Sequence, residues 1–224
     1  MALKLWTLAV FAIGSSGLAS FAAPVPKESK AHDFAELFGK PEDPSKQGEF
    51  KLDGKQLVLT VPDGSKAGFP RTNKEVVGDF EMEVKLLCKS PEGTISGTAG
   101  AGLVLWNGES DLVLVERSHW FDKRDQWTSG VNLLMQAQKR NVVSSTTVFG
   151  GDASTNPVKL RLRREEGVVT TWVNNSKEDR WHKLHERKFE LATAVNVGVF
   201  AHSKLSAKFE VTFEALSITP IAKK

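Results

Sequence analysis

The chain of 224 residues has a single cysteine, Cys88. One thiol excludes an intrachain disulfide, so the fold cannot rest on a bridged framework. Cys88 closes the apolar run "VKLLC" (Val84–Cys88) and reads as a buried core thiol. A nucleophile would want a nearby base and an electropositive setting, and the surrounding sequence indicates neither. Dense Lys/Arg blocks are missing as well. The 30 basic and 27 acidic residues give a formal charge of +3, with no cluster of the kind nucleic-acid binders carry. There is no His-x-His or His-Glu-x-x-His string, and His182 and His185 stand three apart in a stretch that reads as loop or strand, so zinc is not indicated. A phosphate-cradling glycine loop, a dinucleotide fingerprint and a Ser-His-Asp order are all absent. No helical stripe of any length interrupts the chain.

What is present begins at the N-terminus. Lys4 forms a short positive region, "LWTLAVFAIG" (Leu5–Gly14) an apolar core, and small residues follow. Ser20 and Ala22 fit cleavage after Ala22, so residues 1–22 are expected to be a signal peptide. The apolar core is too short for a transmembrane helix. A secreted or periplasmic protein with no stable membrane span after cleavage is the expectation. Residues 23–48 are rich in Pro, Lys, Glu and Asp and hold only Phe34 and Leu37-Phe38 as apolar pieces. They read as a linker followed by a first docking segment.

From Phe50 the hydrophobic period becomes two. "FKLDGKQLVLTV" (Phe50–Val61) places Asp53-Gly54 between two extended pieces, a hairpin signal. "DFEMEVKLL" (Asp79–Leu87) turns Phe80, Met82, Val84 and Leu86 to one face and Glu81, Glu83 and Lys85 to the other. "KLRLRR" (Lys159–Arg164), "VVTTWVNN" (Val168–Asn175), "NVGVFAH" (Asn196–His202) and "KFEVTFEALSI" (Lys208–Ile218) continue the pattern. Short strands punctuated by Gly, Asn, Asp and Pro predict an all-β antiparallel sandwich over residues 49–220, with a tail at 221–224. The outward charges, Glu81 and Glu83 against Arg161 and Arg163, read as a solvated face of cross-strand pairs.

The strings "GDFEMEVKL" (Gly78–Leu86), "AGLVLWNGESDLVLVERS" (Ala101–Ser118), "VKLRLRREEGVVTTWVNNSKEDRWHKL" (Val158–Leu184) and "VNVGVFAHS" (Val195–Ser203) follow one another in that order. In that order they resemble the concanavalin A-like lectin/glucanase superfamily. Within it they resemble a bacterial family of domains of unknown function sometimes labelled as β-xylosidase-associated regulators. The similarity runs over residues 33–218 and implies a jelly-roll sandwich. That superfamily mixes lectins, glycan-binding modules, glycosidases and domains with no known ligand, so the fold alone does not name the function. One departure stands out. The family's Asp-Gly-x-x-Trp turn reads "KEDRW" (Lys177–Trp181) here, without the glycine. Trp181 is expected to pack on the sandwich edge as a structural residue.

A retaining glycosidase of this superfamily needs two carboxylates about 5–5.5 Å apart. A Glu-x-Asp-x-x-Glu string on one strand would place them, and none occurs. Glu81-x-Glu83 and Glu210-x-x-x-Glu214 alternate with apolar residues and show no aromatic or His neighbour in sequence. Glu116 differs: it lies in register with Leu112 and Leu114, which puts a carboxylate on a mostly apolar face with Arg117 on the other. Such a group must find a partner or take a raised pKa. It is therefore a candidate site residue, and otherwise a strand end or the partner of an arginine.

"SHWFDKRDQW" (Ser118–Trp127) reads as a loop joining a strand at 111–117 to one at 130–137. Aromatic rings stack on the C–H faces of sugars, and hydroxyls pair with Asp, Asn, Arg and His. Trp120, Trp127, His119 and Asp122 are thus candidate glycan contacts, with Trp106, Asn107, Glu116 and Arg117 beside them. The tryptophans read equally well as caps on the core edge, and Trp106 as core or as the floor of a groove. In the polar loop "FGGDASTNP" (Phe149–Pro157), Asp152 is a candidate ligand for a structural Ca²⁺. The expected function is a secreted, non-catalytic, lectin-like carbohydrate-binding protein with a glycan or polysaccharide as partner. Two alternatives remain open: a glycoside hydrolase or lyase using Glu116 with Asp122 or His119, and a cell-envelope protein-interaction domain.

Overall fold

A computed structural model describes residues 34–43, 46, 48–53, 55–62, 70–89, 97–108, 111–121, 127–137, 140–149, 157–175 and 179–222. The expected signal peptide lies outside the described residues, as do residues 223–224 of the expected tail at 221–224. A single-turn α1 (Phe34–Leu37) precedes β1 (Lys40–Glu42), β2 (Glu49–Asp53), β3 (Gln56–Val61), β4 (Arg71–Val77) and β5 (Phe80–Lys89). Then come β6 (Thr98–Asn107), β7 (Asp111–Phe121), β8 (Trp127–Ala137), β9 (Arg140–Phe149) and β10 (Val158–Glu165). The last four are β11 (Val168–Asn175), β12 (Arg180–Lys188), β13 (Ala194–Ser203) and β14 (Phe209–Pro220). No helix among the described residues is long and apolar enough to cross a membrane.

Among the described residues the strands form two antiparallel sheets of seven. The first runs β1-β4-β13-β6-β7-β8-β9 and the second β12-β11-β10-β5-β14-β3-β2. The period-two pattern explains the layering. Met82, Val84 and Leu86 of β5 and Leu160 and Leu162 of β10 face Leu103, Leu105, Val113, Val115 and Val197 of the first sheet in one continuous core. Each such side chain, fully withdrawn from water, contributes about 1.5–3 kcal/mol. The β10–β11 hairpin closes with Glu166 and Gly167 at φ 50° and 74°, the mirror-image turn that matches strand twist. Phe34 of α1 is fully buried in the core, and β1 pairs with β4 at the edge of the first sheet.

In two places the structure departs from the sequence pattern. Arg161, on the side of the second sheet turned away from the core, is only 2% exposed instead of solvated. Its guanidinium lies 2.7 Å from Glu83 and 3.5 Å from Glu81, and 4.0 Å from the ring centroid of Trp181. The aromatic lid dries a pair that alternation alone assigns to water. In the turn before β12, Asp179 takes the left-handed conformation, φ 44°, which Asp tolerates better than most residues. Trp181 is the second residue of β12, the edge of the second sheet.

Candidate functional site

β7 is the strand on which both faces matter. Val113, Val115, Arg117 and His119 alternate toward the sandwich interior, while Leu112, Leu114, Glu116, Ser118 and Trp120 take the outer face. The sequence expectation of a strand ending at 117 is corrected here: β7 continues to Phe121 and β8 begins at Trp127. The polar letters Ser118 and His119 imitate a loop because each is absorbed by a different layer.

On the outer face, register sets Gly102 between Phe200 of β13 and Glu116 of β7, with Asn132 of β8 beyond. One step along, Gly100 lies between His202 and Ser118. The Glu116 carboxylate is the centre of this group. Its Oε2 is 2.8 Å from His202 Nε2. Its Oε1 accepts from Ser118 Oγ at 2.6 Å and from Asn132 Nδ2 at 3.1 Å, and Asn132 also donates to Ser118 Oγ at 2.5 Å. The His202 ring lies nearly parallel to Phe200, at an interplanar angle of 11°. Burial alone would raise the Glu116 carboxyl; the hydrogen bond of His202, helped by those of Ser118 and Asn132, outweighs it and holds the group below the ordinary carboxylate range. The partner foreseen for a carboxylate on an apolar face therefore exists, and it is a histidine rather than an arginine.

Glycine makes this approach possible. A Cβ at position 100 would lie 2.6 Å from Glu116 Oε2 and 2.7 Å from His202 Nε2. Around the polar group lies an apolar floor of Val104, Trp106, Leu114 and Phe200, with Leu112 and Leu134 half-buried against it. Arg71 of β4 sits 4.6 Å over the Trp106 ring and pairs with Glu42 at 3.3 Å.

The remaining candidates divide by layer. Trp106 is part of the floor, 5% exposed, and Trp120 is half-buried on the same face as Glu116. Asn107 is half-buried at the end of β6, opposite Asp111. Arg117 and His119 are not brought to Glu116; both are buried on the interior side, where the His119 ring meets Phe209 at 6.3 Å. Burial first, and the neighbouring Arg117 second, push His119 down to about 3, so it is neutral in the folded protein. Burial likewise pushes the Cys88 thiol up to about 12. Trp127 pairs with Phe121 in register, but its side chain, like Asp122 and Asp152 entirely, lies outside the described residues. Among the described residues no three of His, Cys, Asp and Glu gather as a metal site.

Sequence reasoning missed Ser118, Asn132 and His202 as site residues. Both Asn132 and His202 had a signal: Asn132 interrupts the apolar run of "GVNLLM", and His202 shares a face with Gly198 and Phe200 in "VGVFAHS". Chemically, the arrangement offers an ionised carboxylate with both oxygens engaged and a histidine at the surface beside it, 29% exposed against 11% for the Glu116 side chain.

No protein-family model matches the chain, and a search of curated proteins finds no match. Solved structures do match. A functionally unknown protein from Saccharomyces cerevisiae is 16% identical over 84% of this chain and 98% of its own, with a TM-score of 0.65. Xylan β-1,4-xylosidase from Bacillus halodurans C-125 is 15% identical over 88% of this chain, with a TM-score of 0.54; the match spans 40% of that enzyme. The exoplasmic/lumenal domain of VIP36, in its Ca²⁺/Man3GlcNAc-bound form, is 13% identical over 80% of this chain and 86% of its own, with a TM-score of 0.51. These likenesses establish a lectin-type β-sandwich fold shared by glycan-binding domains and by a portion of a glycosidase.

Proposed function

We propose that the chain is an exported, lectin-like carbohydrate-binding protein whose ligand lies along the outer face of the first sheet. One observation carries the reading. A hydrogen-bonded polar group, Glu116–His202–Ser118–Asn132, is set into an apolar floor on the sheet face turned away from the core. Sugar ligands ask for that mixture, since their C–H faces need apolar or aromatic contact and their hydroxyls need fixed polar partners. Along β7 the half-buried Trp120 stands four residues beyond Glu116, about 13 Å away at strand spacing, on the same face. It is the stacking residue of this reading, with Trp106 as floor. Two structural neighbours agree in class: one is a xylan β-1,4-xylosidase, and the VIP36 domain is bound to Man3GlcNAc.

A protein-docking role asks for a contiguous exposed apolar patch. The exposed large apolar residues among those described are Leu52, Val77 and Leu87, on three different strands. A double-displacement glycosidase asks for a second carboxylate beside the first, and the groups that set the ionisation of Glu116 are His202, Ser118 and Asn132.

The test is a titration against a polysaccharide panel, with and without Ca²⁺, followed by intrinsic tryptophan fluorescence with reducing-end assays in parallel. Saturable quenching without product, lost in Trp120→Ala and in His202→Ala, is the expected result. New reducing ends lost in Glu116→Gln would replace the binding reading by an enzymatic one. No response to any glycan would move the assignment to a protein partner.

A further inference from the structure

We propose that Glu116 acts through His202, fixing its ring so that Nδ1 presents a lone pair to the ligand, and that this selects neutral, hydroxyl-donating glycans over acidic ones. The inference rests on the glycan reading of this face and adds its specificity.

The hydrogen-bond pattern dictates the tautomer. Oε1 of Glu116 already receives two donors, Ser118 Oγ–H and Asn132 Nδ2–H, an arrangement suited to an ionised carboxylate. Oε2 then needs a donor, and the atom 2.8 Å away is His202 Nε2. A neutral imidazole that carries its proton on Nε2 has none on Nδ1. Among the described residues Nδ1 has no partner, and it is not among the buried unsatisfied atoms. The Phe200 ring lies parallel to the imidazole, with centroids 6.3 Å apart. A ligand meeting Nδ1 must therefore bring a hydrogen to donate, as a sugar hydroxyl does.

Charge works the same way. Register places Glu42, Arg71, Glu75, Lys40 and Glu116 on this face, three carboxylates against two cations, and Arg71 is already engaged with Glu42 at 3.3 Å. A uronate or sulfate would meet an ionised Glu116 and an acceptor nitrogen together, and like-charge contact is strongly disfavoured. Glu116 is a positioning residue here, and His202 makes the contact.

The experiment has two arms on the purified protein. Long-range ¹H–¹⁵N spectra read the imidazole tautomer without any ligand, His202 being assigned among the five histidines by its loss in His202→Gln. The expected result is protonation at Nε2 in the wild type, with a shift toward a tautomer mixture in Glu116→Gln. Binding of a neutral polysaccharide and of a uronate-containing one is then compared. The neutral ligand is expected to bind at least about tenfold tighter, with that ratio falling in Glu116→Gln. A dominant Nδ1–H tautomer, a ring protonated on both nitrogens, or equal or preferential binding of the acidic glycan overturns the proposal. Absence of binding by either class overturns the glycan reading itself, which the ligand-free tautomer result keeps distinct from failure of the Glu116–His202 device.

Discussion

Replacing Gly100 with alanine adds one methyl group and tests the site without touching any of its polar atoms. The new Cβ would stand 2.6 Å from Glu116 Oε2, where ordinary contact begins at 3.4 Å, and 2.7 Å from His202 Nε2. It forms against two atoms of one hydrogen bond, so relief requires the carboxylate or the imidazole to move by most of an ångström. That shift breaks the 2.8 Å contact while Glu116 stays 8% exposed. A hydrogen bond to a charged group contributes about 1.5–3 kcal/mol. Alanine in a strand returns about 0.5–1 kcal/mol relative to glycine. The net loss is about 1–2 kcal/mol, which for a domain of this size lowers Tm by roughly 2–8 °C. Calorimetry of four proteins closes a cycle: wild type, Gly100→Ala, His202→Ala and the double variant. With the ring removed, Oε2 has room to move, and the alanine should then cost nothing or stabilise slightly. A Gly100→Ala protein as stable as wild type, or a cost that persists unchanged without His202, would refute the close-approach argument.

Other expectations follow from the buried charges. Arg161→Ala leaves Glu81 and Glu83 without their shared cation beneath Trp181 and should destabilise by about 3–5 kcal/mol in denaturant titration, whereas an apolar Arg161→Met with both glutamates made Gln should recover much of it. Cys88, with its thiol pushed up to about 12 and only 2% exposed, should resist thiol reagents at pH 8 until the protein unfolds, and rapid labelling of the native protein would contradict its placement. Acid should destabilise through two groups. His119 stays neutral in the fold down to about 3 while the unfolded chain takes up protons from about 6.5, so its contribution is present above 6.5 and is lost as pH falls toward 3. Glu116, held below its ordinary value, adds stability above the unfolded carboxyl range that disappears as pH falls through the folded value. His119→Leu should therefore flatten the upper part of the acid limb, and an unchanged pH profile would count against its burial as a neutral ring.

Alternation made most of the fold readable, because a strand with one wet and one dry face writes its geometry in every second letter. Phe80, Met82, Val84 and Leu86 lie inside as the pattern requires, and Cys88 continues their row. The signal fails where neither face is wet. The C-terminal half of β7 carries Arg117 and His119 into the interior and Glu116 and Ser118 into a hydrogen-bonded group outside, so both sets are polar and both are buried. A strand of that kind has the composition of a loop. Arg161 fails the pattern for the opposite reason: it sits on the face assigned to solvent, and an aromatic ring from an edge strand removes the water. The site itself was half legible. Glu116 betrayed itself by local register with Leu112 and Leu114, but its partner His202 is 86 residues further on and arrives through a sheet order that sets β6 between β7 and β13. Two residues on strands that do not touch can meet only across a position with no side chain. Gly100 is that position, so the letter that most constrains the site is the one that contributes no atoms to it.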